Sequence, residues 1–343
     1  MNDFDDAALD DPQILAEADD SLRFLAGAGA RIRLEAQILG KPDFEAGRRP
    51  RGVIIVGQEA RLVRAVLEPC CPVPFVAWPF AGLPAWVGAL DLVVVLASRD
   101  GSDAALVSAT YEAARRGAAL LVATPEDSPV WAAAEGTSTL RVPTATGDPL
   151  AAAIALMSVL HEVELGPDVV PSDTAEVADM VAEESSPYRD LSTNAAKDLA
   201  LGLADALPLV WGGSVLAARA SRRVAEALRR ATGLAALAVG SEELLPVIEA
   251  TGPRDPFADP TEHQASLRPV LLVLNDMGDS PEMAVERQTL LETAQAHDVR
   301  ICALDAGQGS DVDRYVALLQ KGLYGAAYLR IGSRRGGTPG QQI

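Results

Sequence analysis

Residues 52–57 read GVIIVG and residues 207–212 read LPLVWG. Each is an uncharged apolar run closed by glycine, followed by a segment of helical spacing: Ala60 to Leu67 after the first, Ser214 to Arg230 after the second. Continuous rather than alternating apolar residues mark strands covered on both faces, as in parallel sheets, and strand, turn and helix in that order are the unit from which such sheets are wound. Outward from the first copy the pattern recurs. It predicts strands at Gly52 to Val56, Val73 to Ala77, Leu92 to Leu96, Ala118 to Val122 and Thr139 to Val142. Helices are predicted at Ala60 to Leu67, Asp103 to Arg116, Ser128 to Ala134 and Pro149 to Val163, which makes one doubly wound domain.

Outward from the second copy, a helix over Thr193 to Ala206 leads into the strand Leu207 to Trp211 and the helix Ser214 to Arg230. A short strand near Ala236 to Val239 and a helix from Glu242 to Ala250 follow. Beyond a loop rich in Pro and Asp (Thr251 to Pro269) come the strand Val270 to Asn275, the helix Pro281 to His297, the strand Val299 to Leu304 and the helix Asp311 to Leu329. The halves match in order: GVIIVG with LPLVWG, LDLVVVLA (Leu90 to Ala97) with PVLLVLND (Pro269 to Asp276), and RRGAALLVAT (Arg115 to Thr124) with AHDVRICALD (Ala296 to Asp305). Three matched elements argue for two copies of one α/β unit. The boundaries read as a peripheral helical segment over 1–50, a first domain over 51–163, a linker over 164–190, a second domain over 191–330 and a flexible tail over 331–343. In the first segment Asp11 caps a helix, and Gly27 and Gly29 end it. The linker holds eight acids, one base and three prolines, with a short helix around Thr174 to Glu184.

Composition excludes several partners. The chain has 343 residues, and 48 acidic against 29 basic residues give a net charge of −19, which repels phosphate backbones and anionic lipid. No nucleic acid and no membrane are therefore expected as partners. Only 4% of residues are aromatic, too few for a base-stacking platform. The longest uncharged run, Pro69 to Leu90, is long enough to cross a bilayer but contains five prolines and cannot be one helix. The start MNDFDDAALDDPQ carries no basic or apolar leader pattern, so a cytoplasmic location is expected. Cys70, Cys71 and Cys302 fit neither a disulfide framework nor a zinc site and are expected as reduced, partly buried thiols.

The duplicated strand and glycine-turn pattern resembles the SIS (sugar isomerase) family, and more narrowly the bifunctional phosphoglucose/phosphomannose isomerases. The stretches that carry the likeness are RGVIIVG, CPVPFVAWPFAGLPAWVGALDLVVVLAS, RRGAALLVAT, LPLVWGGSVLAARASRR and VRICALD, which span the body of both halves. The resemblance implies two tandem SIS domains, each a mostly parallel sheet with helices on both faces, a flavodoxin-like three-layer sandwich. It implies a homodimer, no cofactor, and a phosphosugar or other small anion as ligand. In the family a Gly-Gly-Ser turn and a Ser/Thr-rich turn cradle phosphate at helix N-termini. The corresponding turns here are Gly57-Gln58-Glu59-Ala60-Arg61 and Ser98-Arg99-Asp100-Gly101-Ser102-Asp103, which bring three carboxylates to a place where a dianion would sit. Arg61 and Arg99 either offset those acids or pair with them. The phosphosugar-binding set implied for this chain is Gly57, Ser98, Arg99 and Ser102, with Gly212, Gly213 and Ser214 in the second half. There Trp211-Gly212-Gly213-Ser214 opens a helix bearing Arg219, Arg222 and Arg223, whose guanidinia otherwise form a solvated face, while the glycines allow close packing of strand on helix.

The family's proton-shuttling glutamate lies on the helix that opens the second domain. Matched without a gap through LAARASRR, its place is taken by Arg230, and a guanidinium cannot accept a proton at working pH. The family's histidine falls near Leu245-Pro246-Val247, and its C-terminal lysine has no counterpart after Lys321. The resulting expectation is a sugar-phosphate binding protein of hexose or mannose-phosphate metabolism with an empty catalytic set. The alternative is an active glucose 6-phosphate/mannose 6-phosphate aldose–ketose isomerase using substituted groups, for which Glu242, Glu243 and Glu249 are the nearest acids. His161, His263 and His297 occupy helix ends or a polar loop, with no second ligand pair for a metal. The nucleophile turn G-x-S-x-G and the dinucleotide fingerprint G-x-G-x-x-G do not occur at a strand-to-helix turn.

Overall fold

A computed structural model describes residues 4–39, 49–135, 139–252, 267–278 and 280–333. The chain divides into two compact units, Ala28–Glu176 and a second made of Met1–Gly27 with Val177–Ile343. In chain order the elements are α1 (Pro12–Glu17), α2 (Asp19–Ala26), α3 (Ala28–Leu39), β1 (Val53–Gly57), α4 (Ala60–Leu67), β2 (Phe75–Ala77), β3 (Leu92–Leu96), α5 (Ala104–Arg115), β4 (Ala119–Thr124), α6 (Pro129–Ala133), β5 (Thr139–Pro143) and α7 (Pro149–Glu162). They continue with α8 (Pro171–Glu184), α9 (Ala195–Leu203), β6 (Ala206–Gly212), α10 (Val215–Thr232), β7 (Leu237–Ala238), α11 (Ser241–Glu249), β8 (Arg268–Asn275), α12 (Pro281–Ala296), β9 (Arg300–Asp305) and α13 (Asp311–Gly332).

The first unit holds a parallel five-stranded sheet of order β2-β1-β3-β4-β5. Its three central strands, β1, β3 and β4, are buried on both faces, as the unbroken apolar runs require, while the edge strands β2 and β5 are half-buried. One face packs Ile54, Val56, Val93, Val95 and Val122 on Ala109 and Ala113 of α5 and Val130 of α6. The other is covered by α4 and α7, and α3 lies on α7. The second unit holds a parallel four-stranded sheet of order β7-β6-β8-β9. The strand order of the two sheets is the same through the fourth strand. In the second unit the chain after β9 enters α13 directly, the long buried helix that packs on α9 and α10.

The registers fix how the halves correspond. Gly57 lies beside Leu96 in the first sheet and Gly212 beside Leu274 in the second, while Leu96 lies beside Ala123 and Leu274 beside Leu304. The first and third sequence matches therefore stand as read. The second shifts by one residue, so that Ser98 corresponds to Asp276, because an apolar run without an internal mark carries no phase of its own.

The N-terminal segment departs from the reading of a single peripheral helix stopped at Gly29. Gly27 ends α2, but Gly29 lies inside α3 and is buried, and the segment is shared between the units at Gly27. Glu35 of α3, 1% exposed, accepts the amides of Ala145 and Thr146 at the turn before α7. In the second unit the arm is fastened by Lys197. Its fully buried ammonium donates to Asp10 Oδ1 at 2.6 Å and to the carbonyls of Arg189 at 2.8 Å and Pro187 at 3.1 Å. The same ammonium lies 5.6 Å from the centre of the Tyr328 ring, and that phenol donates to Ser185 O. The acidic stretch between the sheets is largely α8, which buries Thr174, Ala175, Ala178 and Val181. Cys70, Cys71 and Cys302 are free thiols, Cys70 exposed and the others half-buried.

Candidate functional site

In an open parallel sheet, ligands bind beyond the carboxyl ends of the strands at the point where strand order reverses. In the first sheet that point lies between β1 and β3. A cleft of about 320 Å³ opens there, lined by Val56 and Gly57 at the end of β1 with Gln58 beyond them, Trp78 to Ala81 after β2, Ala97 and Arg99 to Gly101 after β3, and Asp103 with the first turns of α5.

Each wall has a local cause. Gly57 has φ +105°, and a Cβ there would stand 2.0 Å from Leu96 O, so only glycine lets β1 turn away this close to β3. The aromatic wall is Trp78 with Phe80, their rings edge to face at 5.0 Å between centroids. They open the proline-rich loop, part of the stretch that carries the family resemblance. The loop is tied down from α5: Glu112 accepts the Leu83 amide, and Arg116 donates to Pro84 O at 2.7 Å and Val87 O at 3.3 Å. The end of the loop is pinned by Asp91, 1% exposed, which accepts the Gly88 amide and pairs with Arg51 at 2.6 Å. The wall is thus a fixed surface, and the indole Nε1 of Trp78 is buried in it without a partner among the described residues.

The floor after β3 is carboxylate. Asp100 Oδ1 accepts the Ser102 amide at 3.0 Å. Asp103 caps α5, its Oδ1 accepting the amides of Ala105 at 2.8 Å and Leu106 at 3.2 Å. The Ser102 donors, with Arg99 nearby, hold the Asp100 carboxyl below the usual carboxylate range. At the tip of β1 the Gln58 amide is taken by Leu96 O, and Glu59, buried and with φ 53°, stands at the N-cap of α4. The amides of Gln58, Ser102, Ala105 and Leu106 are therefore occupied by the protein's own oxygens, while Glu59 gives α4 no side-chain cap.

Of the residues expected in the first half, Gly57 and Arg99 line this cleft. Ser98 is fully buried beneath the lining, its hydroxyl donating at 3.2 Å to Oε1 of the lining residue Gln58, and Ser102 is exposed and outside the lining. In the second unit, Gly212 and Gly213 serve close packing: a Cβ on Gly212 would lie 2.4 Å from the Ala217 carbonyl carbon, and one on Gly213 would lie 2.9 Å from the Trp211 ring. Ser214 caps α10, accepting the Ala217 amide at 3.0 Å, and its hydroxyl donates to the buried Asp276. Asp276 also accepts the Gly278 amide. A carboxylate thus occupies a helix start at the reversal point of the second sheet too. Residue type alone does not reveal Asp103 as a cap or Asp276 as the partner of Ser214. The clustering of Trp78, Phe80 and Trp86 in an aromatic-poor chain was the available signal for the wall.

Arg230 is exposed in the last turn of α10 and pairs with Glu226 at 2.5 Å. At 1.5 Å per residue it stands about 24 Å along the helix from Ser214. Glu242, Glu243 and Glu249 are exposed on α11. His161 and His297 bond main-chain carbonyls of Gly166 and Thr251, and His263 lies outside the described residues. Among the described residues no three His, Cys, Asp or Glu side chains converge as a metal-binding group, and no helix is long and apolar enough to cross a membrane.

Two parallel sheets flanked by helices, with a cleft at the strand-order reversal of the first, define a doubly wound α/β protein. No family model matches the sequence, and no curated protein is similar to it in sequence. Solved structures are similar. The C-terminal domain of glucosamine-fructose-6-phosphate aminotransferase from Francisella tularensis aligns with a TM-score of 0.63 at 12% identity, over 92% of this chain and 96% of that one. Tagatose-6-phosphate ketose/aldose isomerase from Escherichia coli gives 0.62 at 14% identity, over 93% and 91%. A glucose-6-phosphate isomerase like protein from Thermus thermophilus gives 0.53 at 17% identity, over 96% and 93%. At these identities the likeness is one of fold, and the tandem sugar-isomerase architecture is the fold of this chain.

Proposed function

We propose that the chain binds a sugar phosphate or related carbohydrate derivative in the cleft of the first unit and does not isomerise it. The observation that carries this reading is the place of the cleft: it opens at the β1/β3 reversal of a sheet whose fold is shared with proteins named for phosphosugar chemistry. Its fixed aromatic wall offers apolar surface to a sugar ring, and Arg99 is the cation of its lining. Aldose–ketose interconversion requires a group that takes a proton from one carbon and returns it to the next. The acids that line the cleft, Asp100 and Asp103, are both engaged as hydrogen-bond acceptors of backbone amides, and the first of them is a weakened base. No His or Glu is among the lining residues. Arg230, at the place the family resemblance gives to the base, cannot accept a proton.

The test pairs binding with turnover. Glucose 6-phosphate, mannose 6-phosphate and fructose 6-phosphate are titrated calorimetrically and offered as substrates in a coupled isomerase assay. Binding of at least one, without interconversion above the no-protein rate, is the expected result. Turnover above that rate would establish the active-isomerase alternative, and absence of binding to all three would remove the sugar-phosphate reading.

A further inference from the structure

We propose that Asp100 and Asp103 decide which end of a ligand the first-unit cleft accepts: they exclude a phosphate dianion from the start of α5, so that a sugar is held there by its uncharged ring and hydroxyls. The inference rests on the reading of the cleft as a carbohydrate site and adds its specificity. Two independent features of the cleft point the same way. At the start of α5, the amides of Ser102, Ala105 and Leu106, which would attract an anion, already donate to the Asp100 and Asp103 carboxylates. The Trp78 and Phe80 rings also line the cavity and give it uncharged apolar surface. An uncharged sugar ring suits apolar ring surface, whereas a dianion placed against two carboxylates is repelled by both. A sugar phosphate therefore enters ring first, with its phosphate away from α5 and Arg99 the cation available to it among the lining residues.

The test removes charge while retaining shape. In Asp100→Asn with Asp103→Asn, each side chain keeps an oxygen that accepts the same amides, and asparagine caps helices about as well as aspartate. The unaltered full-length chain and the double variant are titrated by calorimetry with inorganic phosphate, glucose 6-phosphate and glucose, with melting temperature as the control for folding. A carboxylate about 5 Å from a dianion weakens its binding by about tenfold even at the dielectric constant of water. The expected result is a gain of about tenfold or more in affinity for inorganic phosphate, with glucose affinity unchanged. An unchanged or weakened phosphate affinity in a folded double variant would overturn the proposal. So would an unaltered chain that binds inorganic phosphate as tightly as glucose 6-phosphate. Failure of both proteins to bind any sugar would refute the carbohydrate reading instead, and the phosphate titration would still decide the role of the two aspartates.

Discussion

Replacing Asp10 by alanine removes the anionic partner of Lys197 without touching the core. Lys197 is fully buried, so its ammonium cannot turn to water, and it would keep only the carbonyls of Pro187 and Arg189 and the face of Tyr328. Removing one member of a buried ion pair typically costs about 3–5 kcal/mol. Asp10 itself is 48% exposed, so water entering from its side replaces part of the lost interaction, and the discounted cost is about 2–3 kcal/mol. For a unit of this size that corresponds to a fall in melting temperature of about 4–12 °C. Scanning calorimetry on Asp10→Ala, Lys197→Met and the double variant measures both the loss and its coupling. In the double variant the stranded charge is gone, so it should lose less than the sum of the singles, with a coupling of about 1 kcal/mol or more. A melting temperature within a degree of the parent for Asp10→Ala, or additive single effects, would refute the assignment of Lys197 as the fastener of the N-terminal arm. The pH dependence follows from the same pair. Hydrogen bonding to Lys197 depresses the Asp10 carboxyl, so its contribution is present at neutral pH and is lost as pH falls below the ordinary aspartate value of 3.8 and through the lower folded value.

Other substitutions test other links. Gly57→Ala puts a Cβ 2.0 Å from Leu96 O at φ +105° and should destabilise the chain by about 3 kcal/mol or more, read as the loss of the first thermal transition or of soluble protein. Phe80 is 67% exposed, so Phe80→Ala should leave the melting temperature nearly unchanged while weakening sugar binding by about tenfold; equal affinity would remove the aromatic wall from the site. Arg116→Ala frees the carbonyls of Pro84 and Val87, and should speed proteolysis within the 78–90 loop without altering the second unit. Burial raises the Cys302 thiol above its usual range, so alkylation at neutral pH should be slow at Cys302 and become fast only on unfolding.

Much of the fold is legible in the sequence because its signals are local. Leu92–Leu96 and Ala60–Leu67 form the elements predicted, since an apolar run closed by a turn and an amphipathic segment after a glycine each carry their own boundaries. Less legible is whatever depends on phase or on a distant partner. The β8 run offers no internal landmark, so its match to β3 is set by pairing with β6 and not by sequence. Gly29 reads as a stop, yet tertiary packing of α3 on α7 carries the helix through it. At the site, Gly57 and Arg99 were legible from the turn they occupy. Ser98 was not, because its burial and its bond to Gln58 depend on a residue 40 positions away. The same holds for Asp276, whose partner Ser214 lies 62 residues away.

Whether the cleft moves a proton is read from isotope exchange between solvent and fructose 6-phosphate or glucose 6-phosphate, under conditions where calorimetry shows either sugar bound. Proton abstraction at C1 or C2 would label the sugar even if net conversion were slow. A cleft that binds without a proton-moving group predicts heat of binding and no solvent label in the recovered sugar. Label appearing at C1 or C2 above the protein-free control, and lost with a substitution in the cleft, would show that the cleft does move a proton.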